Sequence, residues 1–120
     1  MREVLKITGL SGGYASGLKI LRGISLSVIE GEAVGIIGLN GSGKSTLGKA
    51  IMAMLPWCEG DILFEGDDIL KRRTCDLARN GIAIMQQGGQ VFRELTVYEN
   101  LLMGAYTNNN KKEIKEYIYY

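Results

Sequence analysis

A chain of 120 residues is long enough for one small domain or for part of a larger one, and its composition, 46% hydrophobic and 22% charged, is globular rather than disordered. The net charge of +1 gives no electrostatic reason to expect nucleic acid as a partner. Cys58 and Cys75 lack metal-ligand spacing, histidine is absent, and no signal-peptide pattern opens the chain, so we expect free thiols in the cytosol.

Hydrophobic periodicity and turn residues predict short strands in the first part of the chain, followed by a helix. The predicted elements are a strand around residues 4–7, a loop over 9–17 (GLSGGYASG), a strand over 20–29 with one buried face, a turn at 30–32, a strand over 33–37 (AVGII) covered on both faces, and a helix from 44 to about 55. Pro56 lies beyond the end of that helix.

Strands and helices also alternate in the second part of the chain. The predicted elements are a hairpin with arms 61–64 and 67–70, a helix over 74–80 closed by Gly81, a strand over 82–85, a polar loop over 86–95, a helix opened by the capping box Thr96-x-x-Glu99, a linker at 108–110 and an amphipathic helix after it. Because the sequence stops within that last helix, we expect it to be a piece of a longer protein.

Residues 38–45 (GLNGSGKS) match the phosphate-binding pattern G-x-x-x-x-G-K-[ST], with an apolar strand predicted before them and a helix after them. Glycines let the backbone N–H groups point at an anion, and the helix N-terminus adds a positive partial charge. Lys44 would reach the β- and γ-phosphates, and the Ser45 hydroxyl would ligate Mg²⁺. A glycine-rich turn without a ligand is the alternative, and the strand–loop–helix context favours phosphate binding.

Four segments in this order resemble the N-terminal half of an ABC transporter ATPase, and the resemblance covers about residues 3 to 106. They are residues 20–38 (ILRGISLSVIEGEAVGIIG), the phosphate-binding loop, residues 60–69 (GDILFEGDDI) and residues 81–106 (GIAIMQQGGQVFRELTVYENLLMGAY). The last part of the fourth segment is most similar to the ATPase subunits of branched-chain amino-acid importers. The fold that this implies is α/β, a P-loop NTPase core with an antiparallel β layer from residues 1–32 and 60–70.

Within the stretch GLSGGY, residues 9–14, the last five letters LSGGY differ by one letter from LSGGQ, the signature sequence of the same family. In the family, the signature follows the phosphate-binding loop and opens a helix, whereas this stretch precedes the loop. The family carries at this place an aromatic residue that stacks on adenine, and Tyr14 matches it. Without the resemblance, Tyr14 is better interpreted as an ordinary half-buried loop aromatic.

The resemblance implies ATP and Mg²⁺ as cofactors. In the family a glutamine at the end of a strand ligates Mg²⁺, and Gln87 falls at that position, with a solvated polar loop as the alternative. The metal ligands expected in this chain are therefore Ser45 and Gln87. The nucleotide-binding residues expected are Tyr14, Gly38, Leu39, Asn40, Gly41, Ser42, Gly43, Lys44, Ser45, Thr46 and Gln87.

The resemblance also implies the setting of the parent protein. That protein is expected to hydrolyse ATP, to pair head-to-tail with a second ATPase subunit, and to dock on transmembrane permease subunits at the inner face of the cell membrane. Residues 1–120 lack the signature helix, the Asp-Glu strand and the switch histidine that hydrolysis needs, so we expect this chain to bind nucleotide weakly without turnover. An ABC ATPase of repair or translation is one alternative, and a fragment that only folds is another.

Overall fold

A computed structural model describes residues 1–119, which divide into a first unit, Met1–Ile84, and a second unit that begins at Met85. The elements are, in chain order, β1 (Glu3–Gly13), β2 (Leu21–Ile29), α1 (Lys44–Ile51), β3 (Trp57–Phe64), β4 (Asp67–Asp68), α2 (Thr74–Arg79), α3 (Val97–Gly104) and α4 (Lys111–Tyr119). Among these residues, no helix combines the length and the apolar character needed to cross a membrane.

The first unit is built on a four-stranded antiparallel sheet with the order β2-β1-β3-β4. The strand β1 is central and pairs with β2 through Ile7 and Leu26, and with β3 through Ile7 and Ile62. A hairpin turn at Glu65 and Gly66 joins β3 to the short β4. The antiparallel β layer predicted from the sequence is therefore confirmed, although β3 begins at Trp57 and is longer than predicted.

The core of the first unit lies where this sheet meets α1 and α2. Its members are buried apolar residues contributed by β1, β2, β3, the segment after β4, and both helices: Ile7, Leu10, Leu21, Leu47, Ala50, Ile62, Ile69 and Leu77. In α1 the residues Leu47 and Ala50 are three positions apart, so they share one face of the helix. Burial also raises the pKa of Cys58, and both cysteines are free, as expected.

The predicted loop over residues 9–17 is wrong in its first half, because β1 continues to Gly13. Leu10 and Ser11 are buried, and this part of β1 is paired on both sides, since Gly12 lies opposite Leu21 of β2 and Cys58 of β3. A Cβ atom on Gly12 would come within 2.9 Å of the Cys58 Sγ. Glycine at position 12 thus allows β1 and β3 to approach closely. The same glycine-rich pattern led to the prediction of a loop.

The strands predicted over 33–37 and 82–85 are also not found in the structure. No strand of residues 1–119 pairs with either segment, and a strand needs a partner for its backbone N–H and C=O groups. Ile37 is 98% exposed, so residues 33–37 do not form the covered strand that their composition predicts, and residues 82–85, where Met85 is 94% exposed, form no strand. Ile84, by contrast, lies close to Gly48 of α1.

Helix boundaries follow the backbone geometry at their ends. The helix α1 ends at Ile51 rather than near residue 55, because Ala53 takes a left-handed conformation with φ of 56°. The helix α2 ends at Arg79, and Gly81 has φ of 94°, which confirms the left-handed terminator predicted there.

The second unit contains a polar loop followed by α3 and α4, which contact each other. The Thr96 side chain accepts a hydrogen bond from the Glu99 N–H, and the Glu99 carboxylate accepts from the Thr96 N–H, so the predicted capping box is confirmed. The Asn100 side chain holds the preceding loop through the carbonyls of Phe92 and Leu95. The rings of Tyr98 and Tyr119 lie 6.3 Å apart.

Candidate functional site

The phosphate-binding loop turns directly into α1. The Ser42 N–H donates to the Leu39 carbonyl at 3.1 Å, and Gly43 has φ of 97°, a left-handed conformation that glycine adopts without strain. No side chain caps α1, and its first turn carries no acidic residue. Three to four N–H groups at a helix start have no partner within the helix, so this N-terminus is suited to an anion.

Lys44, the first residue of α1, folds back over the loop. Its ammonium group donates to the Gly38 carbonyl at 2.5 Å and to the Leu39 carbonyl at 2.8 Å, and lies 3.5 Å from the Ser42 hydroxyl. These contacts place a full positive charge inside the curve of the loop. Because ammonium donors rotate freely about the side chain, the same group can turn to phosphate oxygens.

Gly38 shows that the loop forms a close cradle. A Cβ atom there would lie 2.5 Å from the Ser42 Oγ and 3.3 Å from its Cβ, which is closer than packed atoms approach. Gly38 therefore packs directly against the Ser42 side chain, and the loop is tightly curved at this point. Together with the uncapped helix start and the Lys44 charge, this geometry fits a polyphosphate.

Ser45 and Thr46 follow Lys44 in the first turn of α1 and differ in burial. Ser45 is exposed, and its hydroxyl makes no hydrogen bond with other residues of 1–119, whereas Thr46 is only 6% exposed. No cluster of three acidic, cysteine or histidine side chains able to hold a metal occurs in that range. A Mg²⁺ ion usually takes one or two protein oxygens and completes its shell with phosphate and water, which fits Ser45.

Tyr14 lies just after β1 and reaches α1. Its hydroxyl is 3.3 Å from the Thr46 Oγ1, and the Lys49 Nζ lies over its ring, 5.5 Å from the ring centroid. The residue remains 49% exposed. The hydrogen bond with Thr46 lowers the pKa of the Tyr14 phenol against the opposing effect of burial, and Lys49 lowers it further.

A second contact fixes the backbone beside Tyr14. The Trp57 indole N–H donates to the Ala15 carbonyl at 2.6 Å, and Ala15 bridges to Leu18 across a tight turn. Tyr14 is therefore held on two sides, by Thr46 through its hydroxyl and by the anchored turn through its backbone. Of the residues predicted for nucleotide binding, the first unit brings Tyr14 to the same helix that carries Lys44, Ser45 and Thr46.

Gln87 belongs to the second unit. It is exposed and precedes Gly88 and Gly89, both with positive φ, in an irregular loop. The neighbouring Gln86 accepts a hydrogen bond from the Gln90 side chain at 3.1 Å, so Gln86 is engaged within its own loop. The role of Gln87 at a metal shared with Ser45 stays a prediction.

Sequence patterns did not single out Lys49 or Trp57 as neighbours of the site. Both reach the Tyr14 turn through contacts between residues far apart in the chain, which no local spacing indicates.

A family model described as ABC transporter matches residues 21–119. The chain belongs to the ABC transporter family.

Relatives within this family carry different import functions in their names. The chain is 44% identical over 106 residues to a probable branched-chain amino acid transport ATP-binding protein of Methanocaldococcus jannaschii, an alignment that covers 87% of this chain and 41% of the relative. It is 42% identical over 91 residues to a xylose import ATP-binding protein of Paraburkholderia xenovorans, covering 74% and 18%. A phosphonates import ATP-binding protein of Alcaligenes faecalis is 40% identical over 103 residues, covering 84% and 37%.

Solved structures show the same fold. An ATP-binding cassette of an ABC transporter in its ADP conformation aligns with a TM-score of 0.76 at 36% identity, over 98% of this chain and 46% of that one. An ATP-binding subunit of an ABC transporter aligns with a TM-score of 0.79 at 30% identity, over 94% and 46%. The predicted fold class is thereby confirmed. The chain spans less than half the length of each of these proteins.

Proposed function

We propose that residues 1–120 form the first part of an ATP-binding cassette and bind Mg-ATP for a transporter that imports a solute. The observation that carries the proposal is the phosphate-binding loop, in which the Lys44 ammonium donates to the Gly38 and Leu39 carbonyls and Gly38 packs too closely against Ser42 for a side chain to fit. The chain's membership of the ABC transporter family, which rests on residues 21–119, supports ATP as the nucleotide that is bound.

Each side chain of the site has a role in this proposal. The backbone N–H groups at the start of α1 and the Lys44 ammonium hold the phosphates, and the Ser45 hydroxyl ligates Mg²⁺, with Gln87 as a second ligand from the second unit. Mg²⁺ neutralises charge on the phosphate oxygens when it is bound. Tyr14 stacks on adenine, and its bond to Thr46 fixes the ring relative to α1.

The complete protein, in this proposal, hydrolyses ATP at the interface of a head-to-tail pair of ATPase subunits. It docks on transmembrane permease subunits at the inner membrane face and passes closure of the pair to them. Relatives named as import ATP-binding proteins support this setting. The 120-residue chain alone binds nucleotide without turnover, because phosphoryl transfer needs charge-stabilising groups that its own sequence does not contain.

Branched-chain amino acids are the solute class that we propose. The similarity of residues 91–106 to the ATPases of such importers supports this choice, as does the relative from Methanocaldococcus jannaschii at 44% identity. Two chimeras test this choice. In one, residues 1–106 replace the matching part of the ATPase of a branched-chain amino-acid importer, and in the other they replace that of a xylose importer. Uptake of the solute of each importer is then measured. Retained amino-acid uptake with lost xylose uptake is expected, and the reverse pattern would overturn the choice.

Titration calorimetry of Mg-ATP into the 120-residue chain tests nucleotide binding, with phosphate release measured in the same sample. Lys44→Met and Tyr14→Ala should each weaken binding, and Lys71→Met, an exposed lysine outside the loop, serves as the matched control. Each lost charge-assisted contact of Lys44 is worth about 1.5–3 kcal/mol, so about tenfold to hundredfold weaker binding is expected. Equal affinity for all four proteins would refute the site, and phosphate release that Lys44→Met abolishes would refute the absence of turnover.

A further inference from the structure

Lys49 lies outside the phosphate-binding loop but contacts the residue proposed to meet the base. It belongs to the last turn of α1, and its ammonium group lies over the Tyr14 ring. Within residues 1–119 it forms no ion pair with an acidic side chain. The charge of Lys49 is therefore directed to an aromatic face rather than to a carboxylate.

The two contacts of Tyr14 restrict how its ring can meet a ligand. The hydroxyl is bound to the buried Thr46, which fixes the ring edge, and Lys49 covers one ring face. Tyr14 is nevertheless 49% exposed, so part of the residue remains open to a ligand. A cation attracts the electron-rich face of an aromatic ring, so Lys49 restrains the ring from one face only.

We propose that Lys49 is a positioning residue for nucleotide binding: it acts through Tyr14, holding the ring so that one defined face meets the purine base. This inference rests on the proposed binding of ATP and adds a residue to it. Lys49 thereby contributes to recognition of the base and makes no contribution of its own to the phosphates.

A purely structural role for Lys49 is the competing explanation. A cation in the last turn of a helix interacts favourably with the helix dipole, so its loss destabilises α1 whether or not Tyr14 is involved. The two roles differ in what they change. A dipole effect alters folding stability alone, whereas a positioning effect alters the affinity for the base-bearing ligand and the ionisation of the Tyr14 phenol.

The test compares Mg-ATP with magnesium tripolyphosphate, which carries three phosphates and no base. Both ligands are titrated into the wild-type chain, Lys49→Met, Lys49→Arg and the control Lys71→Met. Methionine keeps the length of the lysine stem without its charge, and arginine restores the cation. The Tyr14 phenol is titrated separately by its ultraviolet difference spectrum against Tyr14→Phe.

Lys49→Met should weaken Mg-ATP binding about two- to fivefold, leave tripolyphosphate affinity unchanged and raise the pKa of the Tyr14 phenol. Lys49→Arg should restore both properties. An equal loss for the two ligands, or a change in stability alone, would overturn the positioning role while leaving the loop's function intact. If neither ligand binds the wild-type chain, the proposed function fails and this inference fails with it.

Discussion

An alanine at Gly38 is expected to damage the phosphate-binding loop without unfolding the protein. The new Cβ would lie 2.5 Å from the Ser42 Oγ and 3.3 Å from the Ser42 Cβ, so Ser42 must move. Ser42 in turn lies 3.5 Å from the Lys44 ammonium and closes a turn onto Leu39. In the free protein the exposed loop can relax around the new Cβ, so the overpacking cost of about 1–3 kcal/mol falls on the phosphate-bound conformation and corresponds to about five- to hundredfold weaker nucleotide binding.

The assay is calorimetric titration of Mg-ATP, with chemical denaturation measured alongside it. Gly35→Ala is a matched control three residues upstream, because no atom lies within 4 Å of the Cβ it would add and its φ is not in the left-handed region. That control should bind as the wild type does. Since the loop around Gly38 is exposed, Gly38→Ala should change the free energy of unfolding by less than about 1 kcal/mol.

A second substitution separates the contact from a general effect of alanine. Ser42→Ala removes the hydroxyl that the new Cβ would meet at 2.5 Å, so Gly38→Ala with Ser42→Ala should recover part of the lost affinity. The two changes are then non-additive, as expected for residues in contact. Wild-type affinity in Gly38→Ala, or strictly additive losses in the pair, would refute the reasoning.

Three further predictions concern stability and its pH dependence. Leu77→Ala removes a side chain that is 0% exposed and should cost about 2–5 kcal/mol in denaturant unfolding, while Leu18→Ala, at a 59% exposed position, should cost under about 0.5 kcal/mol. Hydrogen bonds from the backbone and side chain of Thr96 lower the pKa of Glu99. The stabilisation of α3 by the Glu99 carboxylate is therefore complete above the ordinary Glu pKa and is lost as pH falls through the lowered value. Helicity measured against pH should show this loss in the wild type, and the Glu99→Gln variant should lack it. Gly104→Ala meets no atom within 4 Å and should stabilise α3 by about 0.5 kcal/mol in thermal unfolding, whereas a loss would contradict the open space there.

Elements whose signals are local were predicted well from the sequence. The capping box at Thr96 and Glu99, the helix terminator Gly81 and the start of α1 after the phosphate-binding loop each depend on a few adjacent residues. The strands predicted at 33–37 and 82–85 failed for a different reason. A strand requires a neighbouring strand for its backbone N–H and C=O groups, and that neighbour lies elsewhere in a chain, so composition alone does not supply it.

The candidate site divides in the same way. Residues 38–45 are recognised from spacing, because a phosphate is bound by consecutive backbone groups. The surroundings of Tyr14 depend on contacts over long sequence separations, 32 residues to Thr46 and 42 residues from Trp57 to Ala15. No periodicity within a window of helix or strand length contains that information.

The stretch GLSGGY is a short example of a segment whose structure depends on long-range pairing. Its letters resemble a signature that opens a helix, yet residues 10–13 continue β1. They do so because this part of β1 pairs with β2 on one side and with β3 on the other. A slip of one residue in β1 would turn Ile7 and Leu10 out of the core and also carry Tyr14 away from Thr46. The apolar pattern that fixes the register of the sheet therefore also fixes the position of the proposed adenine-binding ring, and the packing of the β layer and the geometry of the nucleotide site are set by the same residues.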